Sequence, residues 1–512
     1  MIVVYHKNNR IITIEFGEER LVFSSINISS ILFEIAEIYS DQLIIWCHFD
    51  LKASLNLLNI DTIFHHNKIM ASYNLAGNSF LSDAIGYIEE SPFIKVNKGV
   101  SYPTWQMSSS VGGIHASVLL ELGNKLHEDK NFDYFLHSLA KLAMPNGLLC
   151  YSEPGLINDF SNSLIEYQNS KFQLFRFVKQ HYKMRWIFLL FLNLFLYERK
   201  MAFLPLVYSL FYRKRELNDT TLKMIKVQST NKVVELGTID VIIPTIGRKK
   251  YLYDVLKDLS FQTHLPENVI IVEQNPVLGS TSELDYLTNE KWPFKIKHIF
   301  THQSGACNAR NVALNEVSSE WVFLNDDDNR FDQSLLSKVL VNLKIFGIKS
   351  LSLSYLQLNE IKRNLIVYQS PIFGSGNSFI QSSLLSKIKF NMKFEFGYGE
   401  DSDFGMQLRN QGIDVVYFPN PEITHLKAPI GGFRTKPVLE WDNDEIQPKP
   451  SPTIMLKKQL HLTTKQIKGY KTILFFKFYK VQEVKNPIQY FLNFEKQWKQ
   501  SLYWSNELNK KK

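Results

Sequence analysis

The pattern of apolar and polar positions divides the chain into stretches of different character. Up to about residue 180 it is apolar and mixed, with short strand-like runs at 12–16 and 43–47 and helical spacing over 115–127 and 133–143. The first residues, Met1 to Lys7, read as another short strand, because no basic segment precedes an apolar one as a signal peptide requires. Two apolar runs follow, WIFLLFLNLFLY at 186–197 and MAFLPLVYSLFY at 201–212, and then a polar stretch, 216–236, that reads as a linker. From Ile239 onward strands and helices alternate. Strand-like runs at 239–245, 269–273, 295–300 and 321–324 are interleaved with helical patterns at 251–260 and 306–317. Such alternation predicts an α/β domain over 237–435 with a mixed, largely parallel sheet. Residues 1–180 are then a separate α/β or α+β N-terminal domain, and 436–512 a basic, aromatic accessory segment packed on the second domain.

The apolar runs admit more than one reading. Each is shorter than the roughly 20 residues of a spanning helix, and Glu198-Arg199-Lys200 and Pro205 interrupt any straight helix over 181–215. Lys183, Arg185 and Arg213-Lys214-Arg215 flank them, which suits a helical pair lying in the interface of an anionic membrane. A buried helical pair in a soluble core is the competing reading.

Size and composition narrow the classes. A chain of 512 residues with 45% hydrophobic residues has enough apolar surface for two cores. Its three cysteines, Cys47, Cys150 and Cys307, lie far apart without metal-ligand spacing. That excludes a disulfide scaffold and suits a reducing compartment, so a cytoplasmic location is expected, at the inner face of the cell membrane if the apolar pair is interfacial. The net charge of +8 is compatible with nucleic acid, an anionic membrane or an anionic substrate such as a nucleotide diphosphate. No nucleic-acid-binding motif accompanies it, so nucleic acid is not an expected partner.

The candidate chemistry follows strand ends, where open α/β sheets hold their ligands. Asp326-Asp327-Asp328 comes directly after an apolar strand. Three adjacent carboxylates repel one another and call for a cation, and hard oxygen ligands suit Mn²⁺ or Mg²⁺. Alternation puts Asp326 and Asp328 on one side and Asp327 elsewhere. Glu400-Asp401-x-Asp403 opens a helix predicted over 402–410, where a carboxylate is either a cap or a general base. His425 follows a strand at 415–418, and Gly431-Gly432-Phe433-Arg434 beyond it allows a tight loop with Arg434 available for phosphate. Arg310 sits on the helix after Gly305, placed for a surface ion pair or for a diphosphate.

In order along the chain, VIIPTIGRKKYLYDVLKDLSFQT (241–263), VIIVEQN (269–275), GACNARNVAL (305–314), WVFLNDDDNRF (321–331), FGSGNSF (373–379), GYGEDSDFGMQLRNQG (397–412) and YFPNPEITHLKAPIGGFR (417–434) resemble the family 2 glycosyltransferases, which have the GT-A fold. The resemblance covers roughly residues 238–434. It implies that Pro244, Thr245 and Glu273 contact the nucleotide, that Asp326 and Asp328 bind the donor and the metal, that Asp401 is the base, and that His425 sits near metal and diphosphate. One departure is that the second strand ends in Glu273-Gln274-Asn275-Pro276, where the family usually has two aspartates, glycine and serine. The implied activity is that of an inverting, metal-dependent, hexosyltransferase-like enzyme. It takes a nucleotide-diphosphate sugar to a glycan or lipid-linked acceptor, in cell-surface polysaccharide or glycoconjugate synthesis. The alternative class is a non-catalytic glycan-binding or partner-dependent protein retaining the fold. Residues 1–180 have no aspartate cluster after a strand, which favours a structural or acceptor-binding role for them. The competing reading is a second, divergent sugar-handling domain, because Gly112-Gly113 resembles the acceptor-side loop of a glycosyltransferase.

Overall fold

A computed structural model describes all residues except 26, 124–125, 127–128, 159–168, 218–221, 430–436 and 512. The chain forms two compact units. The first comprises residues 1–231, 410–412 and 462–477, and the second 232–409, 413–461 and 478–512.

The first unit contains strands β1 (Ile2–Lys7), β2 (Arg10–Phe16), β3 (Glu19–Leu21), β4 (Leu43–His48), β5 (Ile69–Tyr73), β6 (Tyr102–Pro103), β7 (Val111–His115) and β8 (Leu149–Ser152). Their order in the sheet is β3-β2-β1-β4-β7-β5-β8-β6, with β1 parallel to β4, and β5 parallel to β8. Helices α1 (Ile28–Ile38), α2 (Ile60–Ile63), α3 (Ala116–Leu122), α4 (Phe132–Ala143), α5 (Lys171–His181), α6 (Arg185–Glu198) and α7 (Phe203–Ser209) complete it. The helix expected over 115–127 stops at Leu122, because Gly123 turns the backbone to φ 37°. The stretch expected to be a linker is partly core: Leu222 and Ile225 are buried among the same residues as Leu190 and Phe175.

The apolar pair divides its faces. Ile187, Leu190 and Leu194 of α6 and Leu206 of α7 are buried in the first core. Phe188, Phe195, Leu196, Phe203 and Leu204 are exposed. No helix among the described residues is long and apolar enough to cross a membrane.

The second unit is the mixed sheet expected for 237–435. Its strands are β9 (Ile239–Thr245), β10 (Asn268–Gln274), β11 (Lys295–Thr301), β12 (Trp321–Asn325), β13 (Asn329–Phe331), β14 (Ser350–Gln357), β15 (Tyr368–Gln369), β16 (Asn377–Gln381) and β17 (Val416–His425). The order is β11-β10-β9-β12-β16-β14-β17-β13, with β15 also pairing β17. The block β11-β10-β9-β12 is parallel, β16 runs against both neighbours, and β14 is parallel to β17. Central strands β9, β10 and β12 are buried along nearly their whole length, which is why they read as continuous apolar runs instead of alternating ones. Helices α8 (Lys249–Ser260), α9 (Tyr286–Asn289), α10 (Ala306–Leu314), α11 (Leu335–Phe346) and α12 (Glu400–Asn410) cover them. After these come α13 (Pro452–His461) and α15 (Pro487–Lys510). In contrast, α14 (Thr464–Tyr479) belongs to the first unit as far as Lys477, so the C-terminal segment does not all pack on the second domain as expected. Leu456 of α13 and Leu508 of α15 join the core of Phe394 and Phe404.

The helix predicted over 306–317 ends at Leu314, since Ser318 and Ser319 are committed to a buried carboxylate. Asp240, fully buried in β9, accepts from the Ser318 and Ser319 N–H groups at 2.7 and 3.0 Å. It also accepts from Ser319 Oγ and Asn268 Nδ2, both at 2.7 Å. This carboxylate locks β9, β10 and the turn into β12 at the end of the sheet opposite the site.

Burial raises the pKa of Asp240, and the hydrogen bonds from Ser318, Ser319 and Asn268 outweigh it, leaving the group below the ordinary carboxylate range. Its contribution to stability is therefore complete above the unfolded value of about 4 and is lost as pH falls through the lower folded value. Asp240→Ala is expected to cost roughly 2–4 kcal/mol in a denaturant melt at pH 7. A variant as stable as the parent would contradict this anchoring role.

Candidate functional site

The carboxyl ends of β9, β10 and β12 open into a cleft of about 470 Å³. Pro244, Thr245, Arg310, Asp326, Asp328 and His425 all line it, so the sequence candidates from four separate segments converge there. Asp327 lines it as well, contrary to the alternation expected of an extended strand, because β12 ends at Asn325 and the aspartates occupy a turn. Arg434 lies outside the described residues.

Two arginines hold the aspartates. Arg248, just beyond the turn after β9, donates to Asp327 Oδ1 at 2.6 Å and lies 3.3 Å from Asp328 Oδ2. Thr245 Oγ1 donates to Asp327 Oδ2 at 2.7 Å, so its hydroxyl is committed to the protein. Burial pushes Asp327 up to about 6 against the pull of Arg248 and Thr245. Arg310, on α10, is itself buried and donates to Asp326 Oδ1 at 3.0 Å. On the other side Tyr355 Oη of β14 donates to Asp326 Oδ2 at 3.1 Å.

Asp401 is not among the residues lining the cleft, but it and Arg310 interact electrostatically. Burial raises its pKa above the ordinary carboxylate range, opposed by Arg310 and by hydrogen bonds from the Ser375 side chain and backbone, while Asp326 adds to the rise. Its Oδ1 is buried without a hydrogen-bond partner. Arg310 is held charged, burial being outweighed by Asp326, Asp401 and Glu400. Asp403, in contrast, is structural, bonded by His461 Nε2 at 2.7 Å and Gln407 Nε2 at 2.8 Å.

Glu273 is placed differently from the expected nucleotide contact. Its carboxylate is 2.8 Å from His298 Nε2 and 3.2 Å from the Glu283 N–H, and its neighbour Gln274 lines the cleft in its place. Along a strand, neighbouring side chains point to opposite faces, so the residue after the acid is the one turned inward.

His425 and Asp328 are the candidates for metal binding. His425 Nε2 stands 3.4 Å from Asp328 Oδ1, and that oxygen is otherwise buried without a hydrogen-bond donor. The pairing with Asp328 raises the pKa of His425 against burial. His425 stacks on Tyr355 at 4.7 Å between ring centroids. Among the described residues no group of three or more His, Cys, Asp or Glu is gathered as a ligand set. An orphaned carboxylate oxygen facing an imidazole nitrogen still fits a hard cation that completes its shell with phosphate and water.

Sequence reasoning missed Arg248, Tyr355 and Lys427, which also lines the cleft, and read Ser375 only as part of the glycine-containing loop 373–379. Only Arg248 left a signal, as a cation directly after the Pro-Thr-x-Gly turn. Tyr355 and Ser375 acquire their roles from strand pairing, which single-sequence spacing does not carry. The N-terminus of α10 is an anion site in principle, but Glu395 already accepts from the Cys307 and Asn308 N–H groups at 3.1 and 2.7 Å.

Residues 240–345 match the model of glycosyl transferase family 2. An uncharacterized glycosyltransferase of Rickettsia conorii is 27% identical over 147 residues, covering 28% of this chain and 23% of that protein. The chain therefore spans less than a quarter of that relative's length. Among solved structures, S. aureus TarS 1-349 is similar at 17% identity, covering 37% of this chain and 60% of that one, with a TM-score of 0.31. The complex of TarS 1-349 with UDP-GlcNAc is similar at 17% identity, covering 50% and 71%, with a TM-score of 0.33. Residues 240–345 are a family 2 glycosyltransferase domain, and β9–β17 form its GT-A-like mixed sheet.

The loop before β16 is packed directly on the aspartates. A Cβ on Gly376 would come within 2.1 Å of Asp326 Oδ2 and 3.1 Å of Tyr355 Oη. Gly376→Ala should therefore displace Asp326 and lower kcat/KM by about 10–100-fold, in line with small misplacements at a reacting centre. Unchanged kinetics in a folded variant would show that Asp326 does not need its present position.

Proposed function

We propose that the family 2 glycosyltransferase domain transfers a sugar, with inversion, from a nucleotide-diphosphate donor to a hydroxyl of a glycan or lipid-linked acceptor. The observation that carries this reading is the arrangement around Arg310. One buried guanidinium pairs with Asp326 at the cleft and feels Asp401, whose Oδ1 is unpartnered. A donor-side carboxylate and a free basic oxygen are thus held on a common cation. A module that only binds glycans has no use for such a carboxylate.

In this reading the acceptor hydroxyl gives its proton to Asp401 as its oxygen attacks the anomeric carbon. The bond from that carbon to the diphosphate breaks, and the diphosphate leaves with the electron pair. Attack and departure on opposite faces invert the configuration. The raised pKa of Asp401 makes it a stronger base than an ordinary carboxylate. Lys427 lines the cleft and is placed to meet negative charge on the departing group. Mn²⁺ or Mg²⁺ would be held by Asp328 and His425 together with the donor. Its contribution is to stabilise the leaving diphosphate, electrostatic help worth several kcal/mol in such reactions, on the order of 3 or more.

The test is a panel of common nucleotide sugars, followed by release of nucleoside diphosphate from the intact chain. Asp401→Asn is expected to retain donor binding and lose turnover by about 10²–10⁴-fold, the usual size of general base catalysis. The acid limb of kcat/KM in the parent should lie above about pH 4, because Asp401 must be ionised to act. Full turnover by the Asn variant would remove Asp401 from the mechanism. No release or binding with any donor would favour a glycan-binding module.

The reading extends to an anionic membrane surface on the first unit, and hence to work at the inner face of the cell membrane. Leu204 and Phe211 are 71% and 82% exposed, and Phe188, Phe195, Met201 and Phe203 are exposed around them. Lys183, Arg185, Arg199, Lys200, Arg213 and Lys214 flank this surface and are exposed too. Basic residues bordering an apolar helical surface complement anionic lipid. The chain should co-sediment with phosphatidylglycerol vesicles more than with phosphatidylcholine vesicles, and the double variant Leu204→Asp, Phe211→Asp should stay in solution. Equal partition of parent and variant would contradict this surface.

A further inference from the structure

The first unit repeats the path of the second. In sheet order β1-β4-β7-β5-β8-β6 matches β9-β12-β16-β14-β17-β15, strand for strand. The orientations agree at every step. β1 and β4 are parallel, as are β9 and β12. β7 is antiparallel to β4 and β5, as β16 is to β12 and β14. β5 is parallel to β8 as β14 is to β17, and β6 opposes β8 as β15 opposes β17. The chain also visits these strands in the same sequence in both units, including the return in which β7 inserts between β4 and β5.

The correspondence persists at single residues. The Thr104 N–H donates to Cys150 O at 3.0 Å, and the Ser370 N–H donates to Val415 O at 2.9 Å. Two residues on, the Gln106 N–H donates back to Thr104 Oγ1, as the Ile372 N–H does to Ser370 Oγ. The same number of residues later, Val111 opens β7 opposite Cys47, and Asn377 opens β16 opposite Asn325. Between these points Ser109 occupies the position of Ser375. Ser109 donates through its N–H to Asp133 Oδ1 at 2.9 Å and through its Oγ to Asp133 Oδ2 at 2.8 Å. Ser375 likewise acts on Asp401 through backbone and side chain, lowering its pKa. Asp133 is the second residue of α4, and Asp401 the second residue of α12.

The two units part at the donor side. After β9 the second unit continues through Arg248 into α8, β10, α9 and β11, and Arg248 and Gln274 of β10 line the cleft. After β1 the first unit turns back at once through Asn8 and Asn9, both at positive φ, into the hairpin of β2 and β3. That turn covers the cradle. Asn9 Oδ1 accepts from the Phe132 N–H at 3.0 Å, one residue before Asp133. His6, in the position of Pro244, is 2.7 Å from Ser109 O through Nε2 and packs edge-on against Phe132. Strand register puts His48, Phe49 and Asp50 where Asp326, Asp327 and Asp328 stand, and Asp50 is spent on a surface pair with Lys7 at 2.9 Å.

We propose that the first unit is a second copy of the transferase core whose donor half has been replaced by a β-hairpin, so that the chain has a single nucleotide-sugar site and makes one kind of linkage. This rests on the reading of the second unit as the transferase. Asp133 then keeps the place of the base but serves as a structural anchor, both its oxygens being bound by Ser109, whereas Asp401 has an oxygen to spare.

Equilibrium dialysis of the intact chain against UDP or GDP with Mn²⁺ should saturate at one nucleotide per chain. Asp133→Asn and the milder Ser109→Ala should lower the melting temperature while leaving kcat of the folded protein within about twofold, and Asp401→Asn should do the reverse. Two nucleotides per chain, or loss of turnover in Ser109→Ala at an unchanged melting temperature, would overturn the inference. No nucleotide bound at all would overturn the reading of the second unit on which it rests.

Discussion

Three consecutive carboxylates at the end of a buried strand are unstable without positive charge, and everything around the cleft answers that demand. Arg248 takes Asp327 and part of Asp328, and Arg310 takes Asp326. Each arginine comes from a different segment, so neutralising the aspartates also fixes the loop after β9 and the helix before β12. The neutralisation is incomplete. Asp328 Oδ1 is left facing His425, and Asp401 brings a further buried carboxylate that interacts with Arg310. A site with this balance favours a cation, or a substrate that arrives with one.

The proposed base depends on the same pairing. Arg310 interacts with both Asp326 and Asp401. It keeps the latter from rising further in pKa while burial keeps it from falling to the ordinary range. Tyr355 links Asp326 to His425 by hydrogen bond and by stacking, so the donor and metal candidates are mechanically joined as well. The glycine-containing loop before β16 can lie against these residues because Gly376 has no Cβ to strike Asp326.

Much of this was legible in the sequence, for a physical reason. Buried parallel strands are continuous apolar runs, and ligand-side residues of an open sheet follow their carboxyl ends. Asp326 and His425 were therefore candidates that do line the cleft, while Thr245 came from the family resemblance. What could not be read was direction. Glu273 and Gln274 are adjacent, and only the pleat decides that Gln274 faces the cleft. Asp327 turned inward because the strand had already ended at Asn325. Of the repeat of the fold, only Gly112-Gly113 gave a sign in the sequence. Asp133 lies in Phe132-Asp133-Tyr134-Phe135 and Asp401 in Glu400-Asp401-Ser402-Asp403, and no spacing rule connects them. They are equivalent through strand register and the serine that acts on each one. The aspartate cluster has no counterpart in the first unit, where the chain turns back after β1 at Asn8 and Asn9 and offers no equivalent of Arg248.

The central claim is that the charge balance at Asp326–Asp328 makes cation and nucleotide bind together. Titration calorimetry of UDP and GDP into the intact chain, with Mn²⁺ and with chelator, measures that coupling. The accepted nucleotide should bind at least roughly tenfold more tightly with Mn²⁺, and Asp328→Asn should abolish the difference. Equal affinity with and without the cation would contradict it.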